Sequence, residues 1–556
     1  MNPNNETAMT RRAFLGSSAK LSAALAIAGP ISFIGCEQGN TVFDTLIKNG
    51  TIFDGTASKP YLADIGIKGD KIISIGKLDG SSTQVIDATG LTVTPGFIDI
   101  HTHCDLTFQR TGIKRYLAYV MPSFKGNHNY MYQGVSTVVT GNCGYGYTDT
   151  AFWLDLVDTM TFGSNVLHLA PHGMIRKELF GDNQPTELST KQLDAMKTRV
   201  AEEMEKGAVG FSTGLEYAPG LQASTRELIE INKVVSQYGG LHTTHIRDLT
   251  GKIMANGGFG IVQALQEAVE IGKRAEISTQ ISHLTLKAPY NGVSSGQLFD
   301  VIEQAQLDGM DILADQFPYT AGATLLSARL PAEFKSDAGI KDQYKTKEGR
   351  LLVKKAIEER FLFSGPEQIL IAMYPENESF EGRTLNEIAQ EKGKQPADLY
   401  VDLVAEDISP IAVFFDHHPD VFRDILTKDY VITASDSWTI PKDMSKPHPQ
   451  AFGTFPKKLR QYAIDEKIID FQAAIRSMTS LPAEKFKIKN RGTIEKGNYA
   501  DLVVMNLDTI RDHSTYKKPH QYSEGIVHLF VNGVHSIRHG KTTGDRGGRS
   551  IRRDDR

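Results

Sequence analysis

Between Gly96 and Trp438 the chain repeats one texture eight times: a short apolar run, polar residues at its end, then a stretch with helical spacing. The runs are GFIDIHTH, VSTVVTGNC, NVLHLAPHG, AVGFSTGLEY, LHTTHIRD, EISTQISHL, DILADQFPY and YVITASDSW. Short apolar runs bounded by turn residues suit strands buried on both faces, as in a parallel sheet. Between several of them apolar residues recur on one helical face, as at Leu193, Met196, Val200 and Met204. Eight such β-α units predict an α/β chain folded as a (β/α)8 barrel of the TIM type, over about residues 95–490.

The flanks have a different texture. FDTLIKNGTIFDG and DIGIKGDKIISIG read as short strands broken at Asn49-Gly50 and Gly69-Asp70. Strand texture returns after about Arg491, in GNYADLVVMN and GIVHLFVNGV. Residues 41–94 and 491–556 are therefore expected to build one small β-sandwich from both ends of the chain. The gap from Tyr319 to Tyr430 is longer than one crossover needs, so about 332–411 is expected to be an insertion between the seventh and eighth strands, with its own helices. It is placed to act as a lid over the barrel mouth.

At 556 residues the chain can bury a large core. A net charge of −5 gives no reason to expect a nucleic-acid partner. Three cysteines, Cys36, Cys104 and Cys143, exclude a disulfide framework. TRRAFLG, Thr10 to Gly16, resembles a twin-arginine export signal, and the apolar region from Leu21 to Ile34 is too short and too interrupted by Gly29-Pro30 to span a membrane. It closes on FIGC, a lipoprotein-type cleavage box in which Ile34 departs from the usual small residue. The expectation is removal of residues 1–35, lipidation of Cys36, and a periplasmic protein that meets the membrane only through that anchor. A plain cleaved signal is the alternative.

Residues able to bind metal stand at the C-terminal ends of the eight runs: His101 and His103, Cys143, His172, Glu216, His245, His283 and Asp436. That end of a barrel is where active sites form. A lone strand-end histidine is usually structural, but a rim carrying so many points to a metal cluster. Alternation along an extended strand puts Asp99, His101 and His103 on one face. Asp436 is the expected proton-transfer group of a hydrolytic reaction, because a carboxylate beside a metal can accept the proton of an activated water.

The motifs PGFIDIHTHCD, GNCGYG, GFSTGLEYAPG, THIRD, ISHL, FPYTAG, ASDS, HPQAFGTFPKKL and MTSLPAEKF occur in one order from about Phe43 to the C-terminal GDRGGRSIRR. The chain so marked resembles the D-aminoacylase (N-acyl-D-amino-acid deacylase) family of the amidohydrolase superfamily. The resemblance implies hydrolysis of a small-molecule amide with one or two zinc ions. It implies that His101 and His103 hold one ion and that His245 and His283 hold a second. Cys143 would then stand where many other amidohydrolases carry a carboxylated lysine, contacting either ion or both, with Asp436 a further metal ligand. Asp99 is expected to orient an imidazole. Tyr217 and Arg247 are expected at the rim, in contact with substrate. His172 is expected to be structural and Cys104 a buried small residue, and no role is expected for His417 or His418.

Four positions depart from the family pattern. Thr285 stands where a lysine is expected, Gln450 for an arginine, Phe317 for a tyrosine and Ala323 for a serine. These positions would hold the α-carboxylate of an N-acyl amino acid, so their loss of charge and hydroxyl predicts a substrate without a free carboxylate there. Lys287, Arg247 and Arg329 are the available replacement cations. Two other readings share the barrel: a cyclic-amide hydrolase of the hydantoinase or dihydroorotase kind, and a non-catalytic binding lipoprotein. Cys143 in the bridging position speaks for the deacylase branch.

Overall fold

The computed structural model describes residues 42–109, 117–181, 184–335, 344–406, 409–442 and 445–556. The signal-like segment and Cys36 lie outside the described residues. Among the described residues no helix is long and apolar enough to cross a membrane.

Eight parallel strands form one sheet in chain order: Phe97–Asp99, Val135–Thr140, Asn165–Pro171, Gly210–Gly214, Leu241–His245, Ser278–Ile281, Ile312–Gln316 and Val431–Thr433. They coincide with the eight apolar runs. Most of their residues are buried, as parallel strands covered by helices must be. The sheet curls into a barrel that the first and last strands close just beyond their ends. There the Asp436 amide donates to His101 O (2.9 Å), the His103 amide donates to Ser437 O (2.7 Å), and Thr102 and Ser437 form a parallel bridge.

Local chemistry sets the helices between them. The helix Thr190–Glu205 opens on a capping box, Ser189 with Gln192, and buries Leu193, Met196, Val200 and Met204, the face read from spacing. Ser224 and Ser294 cap the helices Thr225–Gln237 and Ser295–Leu307 in the same way, each side chain accepting from the third backbone amide.

The chain ends share the second sheet. Thr92–Pro95 runs parallel to Val42–Ile52 on one side and antiparallel to Leu502–Met505 on the other. Beneath it Ile47, Ile52, Ile65, Ile72 and Val93 pack against Leu502, Val504 and Phe530. Gly69-Asp70 makes the expected two-residue hairpin between Tyr61–Lys68 and Lys71–Gly76. Asn49-Gly50 does not break a strand. It lies inside Val42–Ile52 as a register shift, with Asn49 in the left-handed region at φ 60°.

The chain between the seventh and eighth barrel strands holds a sheet that sequence spacing did not reveal. Gly322–Leu325, Ile411–Phe414, Ile369–Met373 and Arg383–Thr384 lie side by side, and the helices Lys347–Phe361, Leu385–Glu391 and Pro396–Ala405 pack on them. The strands at both its margins carry this unit beyond the 332–411 read from the sequence, back to Gly322 and on to Phe414. Phe530, fully buried in the core shared by the two chain ends, gives a test of that sharing. Phe530→Ala should cost about 3–5 kcal/mol and lower the melting temperature of the whole chain. An unchanged melting curve would contradict a common core.

Candidate metal centre

Each of the expected ligand positions lies at a strand end, and backbone geometry turns three of them inward. Cys143 (φ 54°), His283 (φ 34°) and Asp436 (φ 49°) all occupy the left-handed region that side chains normally avoid. Gly141 (φ 81°) and Gly144 (φ 72°) flank Cys143, and a Cβ on Gly141 would strike Leu169 O at 2.2 Å. The chain therefore leaves the second strand by a turn that only glycine permits there.

The side chains converge. His101 Nε2 lies 3.2 Å from Cys143 Sγ and 3.4 Å from Asp436 Oδ1, and His103 Nε2 lies 3.3 Å from the same carboxylate oxygen. Cys143 Sγ is also 3.8 Å from His283 Nε2 and 3.9 Å from His245 Nδ1. Two donor sets are compact enough to hold an ion: His101, Cys143 and His283, and His101, His103 and Asp436. His101 belongs to both. Imidazole, thiolate and carboxylate together are a donor set suited to zinc.

The electrostatics of the cluster call for positive charge. Burial works against a proton on His101, but the Cys143 thiolate and the carboxylates of Asp436 and Asp315 outweigh it and lift its pKa well above the usual range. His103 behaves alike, pushed up to about 9 by Asp436 and Cys143 against the effect of burial. Burial also favours the neutral Cys143 thiol, yet the His101 charge and the surrounding imidazole contacts bring its pKa well below a free thiol's. A divalent cation would satisfy that demand. The buried Nδ1 of His103 meets no hydrogen-bond partner.

Carboxylates hold the histidines from behind, and the sequence reading named the wrong one. Asp99 does not touch an imidazole. Its Oδ1 accepts the His101 and Ser435 amides (3.2 and 3.1 Å), and burial raises its pKa to about 7. The carboxylate beside the His101 ring is Asp315, whose Oδ1 lies 3.4 Å from Nδ1 and also accepts the His283 amide at 2.8 Å. Asp315 sits within the run DILADQFPY, where nothing but its alternation marked it. Glu216 Oε2 lies 2.8 Å from His245 Nε2, which leaves His245 Nδ1 facing Cys143.

A cavity of about 300 Å³ opens above the cluster, lined by His103, Cys143, His245, His283 and Asp436 and walled by Leu106, Tyr145, Phe317 and Trp438. Tyr217, Thr285, Phe317 and Ala323 line it, as do Lys287 and Arg329. The Tyr217 hydroxyl lies 3.1 Å from His245 Nδ1, and burial keeps it protonated far above its usual range.

Two expected substrate contacts are elsewhere. Arg247 faces a neighbouring cleft, its guanidinium bound to both Glu267 oxygens (2.9 Å each) and to the carbonyls of Leu221 and Ala223. Gln450 stands behind the site and donates to Asp436 O at 2.7 Å. His172 is structural, buried at 2.9 Å from Glu227, and Cys104 is a buried thiol with its pKa pushed up to about 12. His418 caps the helix Pro419–Leu426. His417, given no role from the sequence, lines the cavity.

The model of the amidohydrolase family matches residues 84–537. The chain belongs to the amidohydrolase family. It is a hydrolase of carbon–nitrogen bonds other than peptide bonds. It is 31% identical over 537 residues to the D-aminoacylase of Alcaligenes xylosoxydans xylosoxydans, covering 92% of this chain and 98% of that one. It is 30% identical to the N-acyl-D-glutamate deacylase of the same organism, over 92% and 97% of the two chains. Among solved structures, the N-acyl-D-glutamate deacylase of Bordetella bronchiseptica, complexed with zinc and a phosphonate mimic of the tetrahedral intermediate, superposes with a TM-score of 0.76 at 26% identity, over 92% of this chain and all of that one. Within this amidohydrolase Cys143 occupies the middle of the donor cluster. Cys143→Ala should reduce bound metal and activity together, measured by elemental analysis and turnover on one preparation. Loss of activity at full metal content, together with a trapped acyl adduct in the wild type, would instead assign the thiol a covalent role.

Proposed function

We propose that this amidohydrolase cleaves a linear, exocyclic amide, releasing an acyl group from an amine, with one or two zinc ions. The observation that carries the reading is the convergence of His101, His103, Cys143, His283 and Asp436 on the floor of a largely apolar cavity. His245, its ring held by Glu216, completes the set of side chains that would hold metal. Bound there, zinc would supply Lewis-acid polarisation of the amide carbonyl and a more acidic water.

The chain's own groups supply the proton traffic. Asp436 Oδ1 faces His101 and His103, and the residue lines the cavity wall, so its carboxylate can take a proton from an attacking water and return it to the departing amine nitrogen. Buried imidazoles hold its pKa below the usual carboxylate range against the pull of burial, which keeps it a base before the reaction. Tyr217, protonated and on the same wall, can donate to oxygen as negative charge develops there.

The proposed substrate carries no free carboxylate beside the scissile amide. Both cations in the cavity already face an acid: Lys287 Nζ donates to Glu216 Oε2 (3.1 Å), and Arg329 Nη2 reaches both Asp416 oxygens (2.9 and 2.8 Å), which leaves only Arg329 Nε without a partner. A substrate carboxylate would have to compete with these buried acids, and like charges in a dry site repel. The proposed place of work is outside the cytoplasmic membrane, from the export-signal and lipoprotein motifs.

Two measurements test the reading. Asp436→Asn should keep its fold and metal while losing about 10²–10⁴-fold in kcat; near-normal turnover in the metal-replete variant would remove Asp436 from the mechanism. For substrate class, kcat/KM should favour the carboxamides of N-acyl amino acids over the matched free acids, tried with both enantiomers. A clear preference for the free acids would reject the neutral-substrate reading.

A further inference from the structure

Besides Arg329 Nε, the residues lining the cavity carry polar atoms that neither the metal cluster nor the ion pairs use. Thr285 Oγ1 and both ring nitrogens of His417 line it or lie at its wall without a hydrogen-bond partner, although the residues are only 2% and 5% exposed. The Tyr319 backbone lies near enough to His417 to favour its protonation slightly, but makes no bond of proper geometry. Buried polar groups are normally satisfied, so unpartnered atoms on residues that line a cavity are the ones a ligand can complete once a small side-chain rotation turns them toward it.

Backbone pairing holds the chain at His417 against the loop next to Thr285. Lys287 and His417 form an antiparallel bridge, flanked by bonds from the Ala288 amide to Asp416 O (2.9 Å) and from the His418 amide to Leu286 O (2.8 Å). The loop after His283 is thereby joined to the chain returning from the insertion. Phe317 lies against the His417 ring at 5.8 Å between centroids.

Resting on the neutral-substrate reading above, we propose that Thr285 and His417 are the specificity residues that receive an uncharged carboxamide of the substrate. A neutral imidazole offers one N–H donor and one acceptor lone pair, and a hydroxyl offers both functions. A primary or secondary carboxamide carries both counterparts, a carbonyl and an N–H. A carboxylate has no N–H to give. His417 stays neutral in the working range: burial, with the Lys287 and Arg329 charges, holds its pKa down to about 3 against the pull of Asp416. The preferred substrates are therefore N-acyl amino-acid amides and N-acyl peptides.

The test compares three matched substrates: an N-acetyl amino-acid amide, the N-acetyl alkylamine that lacks the carboxamide, and the N-acetyl amino acid. Wild-type enzyme, His417→Leu, Thr285→Val and His417→Asn are measured on each, with zinc content determined alongside. In wild type the amide should exceed the alkylamine in kcat/KM by at least about tenfold. His417→Leu and Thr285→Val should each collapse that ratio toward one, chiefly through KM of the amide. His417→Asn, which keeps a neutral donor and acceptor, should recover part of it. The ratio is taken within each variant, so a partly folded preparation does not distort it. If wild type favours the amide but the ratio survives both truncations, the neutral-substrate reading stands and this assignment is wrong. If wild type favours the free acid, the reading fails and this assignment fails with it.

Discussion

Three backbone contacts at one seam, Asp436 N–H to His101 O, His103 N–H to Ser437 O and the Thr102–Ser437 bridge, close the barrel and place its reactive groups in the same step. The first and eighth strands are only three residues long, so little ladder holds them apart from this extension. Asp99 supports the seam from beneath by accepting the His101 and Ser435 amides together. A barrel that failed to close here would separate Asp436 from both histidines, whereas the other strand ends would stay in register. Fold closure and the geometry of the donor cluster are one constraint.

That cluster is costly to assemble. Cys143, His101, His103, His245, His283 and Asp436 are almost all buried, and burying charge unpaired is unfavourable. The protein meets the cost in two layers. Acids behind the rings, Asp315 at His101 and Glu216 at His245, fix which ring nitrogen faces the cluster. Cations farther out then hold Glu216, through Lys287 and Lys335, while Arg329 and Arg360 surround a separate buried acid, Asp416. The same cations that make the pocket look ready for an anion are spent on the protein's own carboxylates.

How much of this was legible in the sequence follows from the range of each interaction. The eight barrel strands were legible because a parallel strand covered on both faces must be an unbroken apolar run, a local property. His101, His103, Cys143, His283 and Asp436 were legible because strand ends of a barrel converge whatever lies between them. Asp315 was not, since its role depends on a neighbouring strand's ring, and Asp99 shared the right face without facing a ring. Arg247 looked like a rim cation until Glu267, twenty residues on and one helix away, took its guanidinium. The insertion's sheet was hidden because strands as short as IAVF read like fragments of helix cores. Asn49-Gly50 gave a true turn signal at a place where pairing with the parallel neighbour converts a turn into a bulge.

The pocket is built on a different principle from the metal floor. The floor depends on strand ends and on backbone conformations that few residues tolerate, as at Cys143, His283 and Asp436, so a substitution there disturbs geometry shared by several donors. The far wall is an antiparallel bridge between the loop after His283 and the chain leaving the insertion, and its backbone bonds run between positions 286–288 and 416–418 regardless of side chain. Residues on that bridge can change identity without moving the floor. Thr285, Lys287 and His417 therefore sit where substrate preference can be altered while the hydrolytic groups stay in place. The departures from the family pattern at Thr285, Phe317 and Ala323 fall on this wall or on the chain that leads into it, and none falls on the expected ligands. The proposed chemistry and the proposed selectivity thus rest on separate backbone devices, joined through Glu216, which touches His245 on one side and Lys287 on the other.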